Sequence, residues 1–63
     1  MKDKLYNLVM TEMGYAKALD LVFFLVHNTG ENESYALLQA AKAHKVDTGQ
    51  LLLRWNALKS AAN

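Results

Sequence analysis

From Asp3 to about His27 the apolar residues fall at positions 5, 8, 9, 13, 16, 19, 23 and 26. Spacings of three and four trace one stripe along a helix. Asp3 is the expected N-cap, because its carboxylate can accept the unpaired amides of a first turn. Gly14 falls within the stripe. A helix restarting after it would begin at Tyr15-Ala16, and neither side chain caps a helix. The pattern therefore predicts one long helix over about 3–27, with room for a kink at Gly14. Glycine inside a helix costs about 1 kcal/mol against alanine, so a division into two helices stays open.

Between Leu19 and Val26 this helix is apolar all round except at Asp20. Val22-Phe23-Phe24-Leu25-Val26 is rich in strand formers, but a single strand has nothing to pair with in this chain, so a helix is expected. A helix that is apolar on every side must be covered on every side. Two short helices can cover one flank, and a second subunit is expected on the other.

Asn28-Thr29-Gly30-Glu31-Asn32 reads as a loop over 28–32, polar and glycine-bearing. Asn32 is the expected cap of a second helix over about 33–45, with Glu33 in the first turn where a negative charge meets the positive helix end. This helix carries Tyr35, Leu37, Leu38, Ala41 and Ala43, and Lys42, His44 and Lys45 cluster in its last turn. Asp47 and Gln50 then have the spacing of a capping box, flanked by Val46 and Leu51 as a hydrophobic staple. A third helix over about 47–62 follows, expected to bury Leu51, Trp55, Leu58 and Ala62.

Composition sharpens the need for cover. Sixty-three residues make one domain, and a chain this short buries only about 60% of the surface its unfolded form exposes. There is no cysteine, so no disulfide can staple it. Yet 52% of residues are apolar and only 21% charged, close to the balance of much larger domains. Oligomerisation is the staple that remains. The longest apolar run, Leu21 to Val26, is six residues, against roughly 20 for a membrane span. Met1-Lys2-Asp3-Lys4 leads into an interrupted pattern rather than a targeting segment, so a soluble cytoplasmic protein is expected, with no membrane partner.

The stretch from Leu37 to Trp55 predicts a helix, a very short turn and a second helix. Ala41 is small where the helices would cross, Val46 is apolar in the turn, and Leu51 and Trp55 follow. Over about 20 residues this spacing resembles the helix-turn-helix of phage repressors and related regulators. The resemblance implies DNA contacts from Lys45, Thr48, Gln50, Arg54 and Asn56. The departures weigh against it: Lys45 stands where the family has a glycine, and His44 and Arg54 stand at apolar positions. The groove-facing set would be Asp47, Thr48, Gly49, Leu52, Leu53 and Asn56, which is poor in the side chains that read base edges. A formal charge of +1 and a short strip of Lys42, Lys45, Arg54 and Lys59 add little phosphate affinity.

Candidate chemistry is sparse. His27 and His44 are seventeen residues apart, with only Glu31 or Asp47 nearby, unlike the paired, closely spaced ligands of zinc sites. Ser34 and Ser60 have no catalytic setting, and Asp20, three residues after Lys17, reads as a solvated edge with a local ion pair. No catalysis, cofactor, metal or small-molecule substrate is expected.

Leu51, Leu52 and Leu53 point in three directions about 100° apart, so at least one must face outward. The expected interface is therefore Leu21, Phe23, Phe24, Leu25, Leu52 and Leu53. The sequence predicts an all-α protein: a long helix against a short helix-turn-helix-like corner, a small bundle completed by dimerisation. The expected function is that of a small regulatory or adaptor protein, binding itself and another protein as a homodimer. In size and character it is similar to small phage and plasmid proteins that inhibit or modulate a host regulator, which is an analogy only. The alternative is a DNA-binding transcriptional regulator using residues 37–56.

Overall fold

The computed structural model describes the backbone of residues 2–61 and the side chains of residues 4–61. The described chain is all helical, with three helices: α1 (Lys2–Asn28), α2 (Glu33–His44) and α3 (Thr48–Ala61). Helix α1 already includes Lys2, one residue ahead of the expected cap Asp3, whose side chain lies outside the described residues. It continues through Gly14. The glycine has a local reason to be there: a Cβ would stand 3.2 Å from Val46 Cγ1 and 3.8 Å from the His44 carbonyl oxygen. Gly14 lets the α2–α3 connection rest directly on the α1 backbone.

Each helix end is set by a few local bonds. The Leu25 carbonyl oxygen accepts from Thr29 Oγ1 at 2.6 Å and from the Glu31 amide at 2.9 Å. Gly30 makes the reversal in the left-handed region, at φ 72°. Asn32 caps α2, its Oδ1 accepting from the Ser34 amide at 2.8 Å and the Tyr35 amide at 3.4 Å. At the other end Lys45 takes up φ 54° and ψ 47°, and the Val46 amide donates to the Ala41 carbonyl oxygen, the six-to-one bond of a Schellman ending. Lysine thus occupies a conformation that glycine adopts without strain. Asp47 Oδ2 then accepts from the Gln50 amide at 2.8 Å. Only this aspartate half of the capping box forms among the described residues.

The core is thin. It consists of Tyr15, Ala18 and Val22 from α1, Ala36, Leu37, Ala40 and Ala41 from α2, and Leu51 and Trp55 from α3. Four of these nine are alanines, and the largest side chains with no exposure are Leu51 and Val22. Small residues let α1 and α2 approach closely, and α1 packs chiefly on α2. Leu19, Leu21, Leu25, Val26 and Val46 border the core, half-buried.

One expectation about burial, that of Leu58, is corrected, and the apolar stripe of α1 finds its place. The α1 stripe at 5, 8, 9, 13, 16 and 23 is not the buried face; Tyr15, Ala18 and Val22 are, and the stripe stays exposed. The reason is geometric. Twenty-seven helical residues span about 40 Å, which accounts for the 42 Å long axis of the molecule, whereas α2 and α3 have 12 and 14 residues. They cover α1 from about Glu12 onward and on one side only. Leu58, expected inside, is 47% exposed, because α3 crosses the core at Leu51 and Trp55 and its last turns run out along the rim beside Phe23 and Val26. Ala62 lies outside the described residues. No helix of the described residues is long and apolar enough to cross a membrane.

Candidate interaction surface

The first three turns of α1 lie beyond the reach of most of α2 and α3. Leu5, Tyr6, Leu8, Val9, Met10 and Met13 are between 45% and 64% exposed, and Leu5 and Leu8 line an open depression with Lys4, Asn7 and Thr11. Further along the same helix Phe23 is 54% and Phe24 50% exposed, and the Phe23 ring lies 4.3 Å from that of His27. On α3, Leu51 is buried, whereas Leu52 and Leu53 face outward at 43% and 62%. Of the six residues expected at an interface, Phe23, Phe24, Leu52 and Leu53 are thus open, while Leu21 and Leu25 are half-buried against the chain's own core. The open residues form two patches, one on each helix.

The long α1 also gives the molecule a large total surface. A folded chain of 7.1 kDa is expected to expose about 4,100 Å². This one exposes 4829 Å², a surplus of roughly 700 Å² over that scaling.

The polar side chains expected to touch nucleic acid divide into two groups. Lys45, Thr48, Gln50 and Asn56 are exposed. Arg54, the only arginine in the chain, is engaged elsewhere: its two terminal nitrogens each donate to Glu12 at 3.0 Å. Its guanidinium carbon lies 4.2 Å from the centre of the Tyr15 ring, and its Nε is buried without a partner. A forked pair over an aromatic face fixes the arginine as a clamp between α3 and α1. With both partners partly exposed, it contributes only about 0–1 kcal/mol.

A second clamp ties α3 to the start of α2. Lys59 Nζ donates to both Glu33 oxygens at 3.1 Å, and Trp55 Nε1 donates to Glu33 Oε1 at 3.3 Å. The hydrogen bond from Lys59, then that from Trp55, holds the Glu33 carboxyl below its ordinary value of 4.5. Neither clamp was predicted, because their members stand 42 and 26 residues apart with no local signal joining them.

Lys17 and Asp20, expected to pair locally, do not; the ion pairs among the described residues are Arg54–Glu12 and Lys59–Glu33. His27 lines a shallow depression with Glu33, and His44 lines one with Asp47, but among the described residues no three His, Asp or Glu side chains could hold a metal. Comparison with known protein families, curated proteins and solved structures finds no match for this chain.

Proposed function

We propose that the protein is a small helical regulatory or adaptor protein that acts through protein–protein contacts as a homodimer. The observation that carries this reading is the exposed apolar length of α1, from Leu5 to Met13 and again at Phe23 and Phe24. Contiguous apolar surface beyond a few hundred Å² marks interaction sites on soluble chains. The thin alanine-rich core adds a stability argument, since a chain this small needs a further source of stability. Leu52 and Leu53 on α3 are a second patch, suited to another protein. A role as inhibitor or modulator of a regulator fits this size and surface by analogy.

A DNA-binding regulator is the second reading. Its support is the three-residue connection between α2 and α3, with Lys45 in the left-handed conformation that a helix-turn-helix glycine takes. Against it stand Arg54 and Lys59, both held by carboxylates, and two open leucines where bases would be read.

Thermal unfolding followed by circular dichroism across a hundredfold range of concentration tests the proposal. A homodimer gains about 2.7 kcal/mol over such a range, so its midpoint rises by several degrees. A midpoint independent of concentration contradicts it. Leu53→Lys separates the two readings: an added lysine weakens association with a protein through α3, whereas a groove-facing helix gains DNA affinity at low salt.

A further inference from the structure

The outer face of α1, opposite Tyr15, Ala18 and Val22, is formed by Val9, Met13, Ala16, Asp20, Phe23 and His27, all exposed. These positions recur every seven residues, as 9, 16 and 23 and as 13, 20 and 27. An average spacing of 3.5 is the repeat of two helices packed along their length in a shallow left-handed crossing. The face is therefore shaped for another helix of comparable length. Among the described residues Asp20, at its middle, has no ion pair, and Lys17, on the next turn toward the N-terminus, has none either. Any helix that covers this face must answer the Asp20 charge.

We propose that the occupant is the same face of a second copy, with the two α1 helices antiparallel about a two-fold axis at the level of Ala18. This rests on the homodimer reading above and adds its geometry. In this arrangement Val9 meets the partner's His27, Met13 meets the partner's Phe23, and Ala16 lies level with the partner's Asp20. The Met13 thioether packs on an aromatic ring, a favourable contact. Lys17, one residue past Ala16, reaches the partner's Asp20, and the symmetry repeats the pair. Parallel packing instead sets Asp20 against the partner's Asp20 inside an apolar seam, and Lys17 near the partner's Lys17, both repulsive. Charge complementarity selects the antiparallel pair.

The chain has no cysteine, so single cysteines at Asn7, Thr11 and Asn28, all exposed, can carry nitroxide labels on the full protein. Solution mass is measured first and intermolecular label distances next, by pulsed electron resonance. Antiparallel helices centred at Ala18 place the labels about 33, 21 and 30 Å apart along the axis, so the distance falls toward the centre and rises again. Nearly equal distances at all three sites, with no fall toward the centre, mean a parallel dimer and overturn the inference while leaving the homodimer standing. A dimer whose distances fit neither pattern overturns it too, since the seam then lies elsewhere. A monomeric mass with no intermolecular signal removes both readings. As a second readout, Asp20→Lys raises the dimer dissociation constant roughly tenfold, and mixing it with Lys17→Asp restores association. An unchanged constant contradicts the charge pairing.

Discussion

Gly14 offers a sharp test of how α1 meets the rest of the chain. Replacing it by alanine favours the helix by about 1 kcal/mol. The added methyl also stands 3.2 Å from Val46 Cγ1, inside ordinary carbon contact, and overpacking of this kind costs about 1–3 kcal/mol. In the native background the two effects leave a net between no gain and a loss of about 2 kcal/mol. Removing Cγ1 with Val46→Ala leaves the His44 carbonyl oxygen at 3.8 Å as the nearest neighbour, so Gly14→Ala then shows its full helix gain. The two substitutions should therefore couple by about 1 kcal/mol or more, well outside the ~0.3–0.5 kcal/mol within which independent sites add. Urea unfolding of the four proteins, monitored by circular dichroism at one fixed concentration, measures the cycle. Gly14→Ala stabilising equally in both backgrounds would refute the contact.

Other outcomes follow from the same geometry. Lys45→Gly relieves a left-handed lysine, a cost of about 1–2 kcal/mol offset by the ~0.4–1 kcal/mol of unfolded-state freedom that glycine adds, so it should raise the midpoint by a few degrees in calorimetry; a fall would mean the lysine side chain matters more than its backbone. Leu51 has no exposed surface, so Leu51→Ala should cost about 2–5 kcal/mol and flatten the thermal transition, whereas Leu53→Ala should change it little. Glu33 has a folded pKa below its ordinary 4.5, so it stabilises the fold above that value and the contribution is lost as pH falls through the folded pKa. Stability curves of the native protein and Glu33→Gln should therefore converge as the pH drops below 4.5; parallel curves would mean the Lys59 and Trp55 hydrogen bonds do not hold in solution.

The ends of the helices were legible in the sequence because caps are local. Asn32 and Asp47 act within three residues of the amides they satisfy, and Gly30 turns the chain so that the Glu31 amide closes on Leu25. Helix α1 was legible as an element, and its apolar stripe was real. What covers that stripe was not legible, since periodicity marks a face without naming its neighbour. Between Leu19 and Val26 the helix is apolar nearly all round, with Asp20 the exception, so nothing in the pattern singled out Val22 as buried. Tyr15 also carries the cation of Arg54, and that arginine read as a phosphate contact because Glu12 is 42 residues away. The outward leucines were foreseen from direction alone: three successive residues cannot all point inward, and Leu51 is the one that does.

The central claim, that a second copy covers the outer face of α1, is tested most directly by light-scattering mass over a dilution series of the native chain and Phe24→Asp. The native protein should approach about 14 kDa at high concentration, twice its 7.1 kDa, and fall toward the single-chain mass on dilution. Phe24 is half exposed beside the proposed seam, so Phe24→Asp should keep its helical signal and shift the transition to higher concentration. A native chain that stays folded at 7.1 kDa at every concentration would contradict the claim.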